Sequence, residues 1–89
     1  MGAWRVEFSV SAGRDLSVLG KELRRRIIET LEWFAENFDI LVPIPLGGPW
    51  KGFFKLRVGG WRVIYQIHVA QRTLAVRYID HRSKIYKRR

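Results

Sequence analysis

Hydrophobic and polar positions alternate strictly over residues 4–10. Trp4, Val6, Phe8 and Val10 fall on one face and Arg5, Glu7 and Ser9 on the other, the period-two pattern of a half-buried strand. Ser11 is the capping candidate for a short helix over residues 12–19, which Gly13 weakens and Gly20 ends. The period then lengthens. Leu23, Ile27, Leu31, Phe34 and Phe38 recur at three- and four-residue steps, opposite Glu22, Arg25, Glu29, Glu32 and Glu36, which predicts a surface helix with one buried stripe. The run Arg24-Arg25-Arg26 reads as a solvated part of that helix, balanced by Glu22 and Glu29.

All three prolines and a glycine pair fall in "DILVPIPLGGPW", which reads as an ordered apolar loop. Alternation returns over residues 51–58 and 61–69, joined by Gly59-Gly60, a strong two-residue hairpin signal, and again over 74–80. The order predicts one α+β domain over residues 1–89: an N-terminal strand, one or two helices, then a three-stranded antiparallel meander packed on the helices.

In the first hairpin strand Phe54, Leu56 and Val58 share a face opposite Lys51, Phe53, Lys55 and Arg57. In the second, Trp61, Val63, Tyr65 and Ile67 oppose Arg62, Ile64, Gln66 and His68. Packing the apolar sets on the helices leaves Lys55, Arg57 and Arg62 on an open sheet face, where the last strand adds Arg77. Asp80 is expected to pair with Arg82 or Arg77, and His68 to be a surface histidine.

Charge sharpens this picture. Residues 1–50 hold six basic and seven acidic residues; residues 51–89 hold eleven basic residues and one acid, Asp80. A face of clustered cations repels itself until polyanion phosphates neutralise it and release counterions, so the segregation points to nucleic acid. Phe53 is placed on that face to stack on a base. The bland counterpart is a basic face that only aids solubility. There is no cysteine and no cluster of His, Asp or Glu, which argues against disulfides, a metal site or a cofactor. No apolar run approaches membrane-spanning length, and nothing at the N-terminus resembles a signal peptide, so the expected compartment is the cytoplasm, with no membrane partner.

The stretches "KLRVGGWRVIYQI" and "LAVRYIDHRSKIYKR" resemble the RelE/ParE superfamily of bacterial and archaeal toxins: a basic strand, a glycine turn, an aromatic-Arg-hydrophobic-hydrophobic-Tyr strand, and a terminal His-Arg…Ile-Tyr-Lys-Arg. The resemblance spans nearly the whole chain and is most specific in its last forty residues. It implies the toxin of a type II toxin–antitoxin pair, a ribosome-dependent endoribonuclease that drives the ribose 2′-hydroxyl of mRNA onto the adjacent phosphate. It further implies a cognate antitoxin as inhibitor, with operator DNA reached only through that antitoxin. Residue by residue, Lys55 matches the family lysine, Arg62 the arginine after the turn aromatic, Arg82 the C-terminal arginine and Tyr86 the C-terminal tyrosine. Lys51, Phe53, Arg57, Arg77, His81, Lys84 and Lys87 are the expected RNA contacts. Phe53 stands where RelE has a second lysine. Lys51 lies about 13 Å from Lys55 along an extended strand, too far to act on the same proton. The ParE-like branch, which inhibits DNA gyrase without cutting RNA, and a decayed RNA-binding member are the alternative readings.

Overall fold

The computed structural model describes residues 3–88. The first strand, β1 (Arg5–Phe8), is shorter than its alternation, because Ser9 ends it as the cap of the next helix. The Ser9 side chain accepts from the Ala12 N–H at 3.1 Å, so helix α1 (Val10–Ser17) begins two residues earlier than a cap at Ser11 would allow. Helix α2 (Lys21–Glu36) buries Ile27, Leu31, Phe34 and Ala35, and Phe38 extends the stripe into the following 3-10 turn.

Among the described residues, the sheet has five strands in the order β1-β5-β4-β3-β2. The unforeseen member is β2 (Ile44–Pro45), inside the apolar loop, which pairs antiparallel with β3 (Phe54–Val58). β3 pairs with β4 (Trp61–His68), and β4 with β5 (Thr73–His81), as the meander predicts. β1 closes the other edge, parallel to β5. Gly59 alone of the turn pair has positive φ (+60°), the first central position of a II′-type hairpin turn.

One register irregularity shapes β5. Ile64 faces Tyr78 while Tyr65 faces Val76, so Arg77 is an extra, bulged residue. Its carbonyl accepts from the Ser9 hydroxyl at 3.0 Å. Beyond Val76 the strand has no β1 partner, and the edge N–H of Ile79 donates to Asp15 on α1 at 2.9 Å.

Helix α2 and Ala12 of α1 cover one sheet face, packing on Val58, Val63, Tyr65, Leu74, Val76 and Ile79. Tyr65 stacks on Phe54 and meets Phe34 edge-on, and its hydroxyl is buried without a hydrogen-bond partner. Desolvation there pushes the phenol pKa well above its ordinary value. The opposite face is not wholly open, contrary to the alternation argument. Trp50, Ile64 and Ile85 form a second small core there, flanked by Leu46, Phe53 and Tyr78. Among the described residues, no helix is long and apolar enough to cross a membrane.

Candidate functional site

Strand pairing arranges the basic residues in rows on the face opposite α2. Residues directly opposite in an antiparallel ladder share a face. One row runs Arg57–Arg62–Asp80 across β3, β4 and β5. The next runs Ile44–Lys55–Ile64–Tyr78 from β2 to β5. Lys55 and Arg62 are therefore diagonal neighbours, roughly 7–8 Å apart at the backbone, within reach of one another's long side chains.

Arg62 is held but not neutralised. Its Nη1 donates to the carbonyls of Gly59 (3.0 Å) and Trp61 (2.9 Å), leaving further guanidinium donors for a ligand. Asp80 lies directly across from it, yet is engaged elsewhere: its carboxylate accepts from the His81 N–H at 2.8 Å and lies 3.6 Å from Arg88. The expected pairing of Asp80 with Arg82 or Arg77 is thus replaced by Arg88, which folds back from the tail. Arg77, lifted by the bulge, donates instead to Gln66 at 3.4 Å. Among the described residues, Lys55, Arg57, Arg62 and Arg82 have no acidic partner.

The tail carries the remaining candidates. The Arg82 N–H donates to the Gly60 carbonyl at 2.9 Å, which continues the β4–β5 pairing and fixes the chain beside the hairpin turn, with its side chain exposed. Ile85 is fully buried in the second core, and the half-exposed Tyr86 ring meets Trp50 edge-on at 6.2 Å. Trp50 also contacts Phe53 (5.6 Å) and Tyr78 (5.7 Å), so it is the hub that joins the tail to the sheet. Lys84 and Lys87 are exposed on either side of that anchor.

Three expected contacts sit differently from the strand argument. Lys51 ends a 3-10 turn, before Gly52 with φ +94° reverses the chain, so it is exposed but off the β3 face. Phe53 is half-buried against Trp50 rather than a bare platform. His81 lies opposite Trp61, on the helix-bearing side, with Nδ1 3.0 Å from the Ser83 hydroxyl and its ring 5.6 Å from Trp61. Alternation along β5 puts it on the other side of the sheet from Lys55 and Arg62.

Sequence reasoning missed Arg88 and Asp15. Arg88 donates to Asp15 at 2.7 Å and to Ser11 at 3.3 Å, and lies 4.9 Å from the centre of the Tyr78 ring. Five basic residues crowd the last eight positions, and nothing in that composition marks one as turned inward. Among the described residues, no group of three or more His, Asp or Glu side chains is placed to hold a metal ion.

The chain as a whole has known counterparts. Residues 6–86 match the family described as ParE toxin of type II toxin–antitoxin system. The chain is 29% identical over 85 residues to Toxin RelG of Mycobacterium tuberculosis, covering 96% of this chain and 98% of that protein. It is similar to a chain in the crystal structure of the RelBE2 toxin–antitoxin complex of M. tuberculosis: TM-score 0.75 at 27% identity, over 90% of this chain and 99% of that one. The isolated E. coli RelE toxin has the same fold, with TM-score 0.73 at 21% identity over 97% and 98% of the two chains. With the family match running from β1 into the tail, the chain belongs to the RelE/ParE superfamily, as a toxin of a type II toxin–antitoxin system.

Proposed function

We propose that this toxin is a ribosome-dependent, metal-independent endoribonuclease acting on mRNA. The observation that carries the reading is the uncompensated pair of Arg62 and Lys55, diagonal on one sheet face while Asp80, the acid directly across from Arg62, is drawn off by Arg88. Phosphodiester cleavage by the neighbouring 2′-oxygen needs a base, charge stabilisation on the phosphorane, and an acid for the departing 5′-oxygen. In this reading Lys55 takes the 2′-hydroxyl proton. Arg62 grips two non-bridging oxygens of the phosphate, a fork geometry that lysine lacks. Arg82 delivers charge or a proton to the 5′-oxygen, and Tyr86 stacks on a base next to the broken linkage. The products are a 2′,3′-cyclic phosphate and a 5′-hydroxyl. Lys51, Phe53, Arg57, Arg77, Lys84 and Lys87 border the RNA path, and His81, on the helix-bearing side of the sheet, lies off it.

A cognate antitoxin neutralises the protein in this reading, in line with the RelBE2 complex, and operator DNA is reached only through that antitoxin. A second reading, ParE-like inhibition of DNA gyrase, is favoured by one observation: Phe53, in place of a family lysine, is committed to the Trp50 cluster and supplies no proton. Expression in cells with mapping of transcript 5′ ends separates the two. New ends within translated codons, absent from a Lys55→Ala/Arg62→Ala variant, are expected. Growth arrest with intact transcripts and halted replication selects gyrase; no arrest at all selects a decayed binder.

A further inference from the structure

The three consecutive arginines of α2 have three different environments. Arg24 donates to the Ser17 carbonyl at 3.4 Å, and Arg25 pairs with Glu22 at 2.9 Å. Arg26 instead reaches the β3–β4 turn. Its Nη2 and Nη1 lie 3.1 and 3.4 Å from where a Cβ on Gly59 would sit, and it has no acidic partner among the described residues. The carbonyl of the same glycine accepts from Arg62 at 3.0 Å. Two guanidinium groups, one from α2 and one from β4, thus converge on Gly59 from the two sides of the sheet. Arg57 stands directly opposite Arg62 on the same hairpin.

Like charges gathered this closely cost free energy unless an anion lies between or across them. Gly59 has no side chain and is exposed, so the surface where the two guanidinium groups meet is polar backbone. Such a surface suits a phosphate chain, whereas a peptide partner needs apolar anchors. We propose that Arg26 extends the phosphate track around the hairpin turn and binds an RNA phosphate beyond the one gripped by Arg62. The inference rests on the reading of the basic face as an RNA site and adds to it a contact from the helix side.

The test uses the full chain and a single-stranded RNA with 2′-O-methyl groups throughout, which is bound but not cut, with affinity followed by fluorescence anisotropy across a salt series. Each phosphate contact on a single strand contributes about 0.7 to the slope of log K against log salt. Arg26→Gln is expected to flatten the slope by about that amount and to weaken low-salt binding several-fold. Arg26→Lys, which keeps the charge, should retain the slope. Arg25→Gln, the same charge change on an already paired neighbour, should leave it unaltered. An unaltered slope in Arg26→Gln, while Lys55→Ala flattens it, overturns the proposal and leaves the RNA reading standing. Equal flattening by Arg25→Gln overturns it too, because the effect is then net charge alone. A salt-independent intact protein removes the RNA reading, and this inference with it.

Discussion

Arg88 and Asp15, 73 residues apart, are joined by a 2.7 Å ion pair that ties the C-terminal tail to helix α1. Asp15 also accepts the Ile79 N–H at 2.9 Å, where β5 has outrun its β1 partner. A single carboxylate therefore closes a strand edge and anchors the segment that carries Tyr86. Both side chains are mostly shielded, at 25% and 17% exposure, so the pair is not a negligible surface contact.

Asp15→Ala is expected to destabilise the protein by about 2–3 kcal/mol, because it leaves a shielded N–H unpaired as well as losing the ion pair. Arg88→Met should cost less, about 1–2 kcal/mol, since both of its carboxylate partners keep a backbone N–H. Urea unfolding of the two variants checks the order. The reverse order would mean that the edge hydrogen bond contributes little.

Removing Arg88 has a second expected effect, on the site. Asp80 lies directly opposite Arg62 and, without Arg88, loses its cationic partner. Arg88→Met should therefore weaken RNA binding several-fold beyond the loss of one tail charge, and adding Asp80→Asn should recover the excess. Anisotropy on the single and double variants measures it; no recovery would show that Asp80 does not compete for Arg62.

The sheet and its faces were legible from period-two alternation, because Val63, Tyr65 and Ile67 and their neighbours pack on α2 as the pattern requires. That Lys55 and Arg62 share one sheet face was legible for the same reason. Three things were not. Alternation carries no signal of a bulge, so the lift of Arg77 was invisible. A two-residue strand such as Ile44–Pro45 is too short to show a period. The second core depends on Trp50 and Ile85, which lie outside the strands and meet only through long-range folding of loop and tail. Composition marked the tail as basic, and only geometry separates Arg88, turned inward, from Lys87, turned out.

Tyr65 supplies a test of polar burial. Its hydroxyl has no partner, so Tyr65→Phe is expected to be neutral or to stabilise the fold by about 1 kcal/mol. The raised pKa sets the sign of the pH effect. The folded state holds the phenol neutral, so stability is unaffected by this group below pH ~10 and falls above it, where the unfolded phenol ionises freely. Thermal unfolding from pH 8 to 11 should show a steeper alkaline loss in the intact protein than in Tyr65→Phe. Parallel curves would mean that another group governs the alkaline limb.

Gly60 and the His81 ring approach closely at the turn. A Cβ on Gly60 would lie 2.9 Å from His81 Nε2, while the ring is held by Trp61 and Ser83. Gly60→Ala is expected to lower stability by about 1–2 kcal/mol through this contact. In a His81→Ala background, where the ring is gone, the same substitution should cost less than half as much. Additivity in that double-mutant cycle would locate the cost in the turn backbone instead.

Tyr86 separates stacking from proton transfer. Its ring meets Trp50 edge-on and the residue is 42% exposed, which leaves ring surface available to a base. If stacking is its task, Tyr86→Phe keeps the ring and should retain cleavage within a few-fold, whereas Tyr86→Ala loses about 1–3 kcal/mol of base contact, a fall of roughly 5- to 150-fold in single-turnover cleavage on ribosomes. If the hydroxyl carries a proton instead, Tyr86→Phe and Tyr86→Ala should both fall by about 10²-fold or more. Stacking is the expected outcome, because among the described residues no hydrogen bond ties the hydroxyl to Lys55, Arg62 or Arg82, whereas Trp50 contacts the ring directly. Trp50→Ala should then mimic Tyr86→Ala in cleavage, and it should add a loss of stability that Tyr86→Ala lacks, since Trp50 is buried at the centre of the second core.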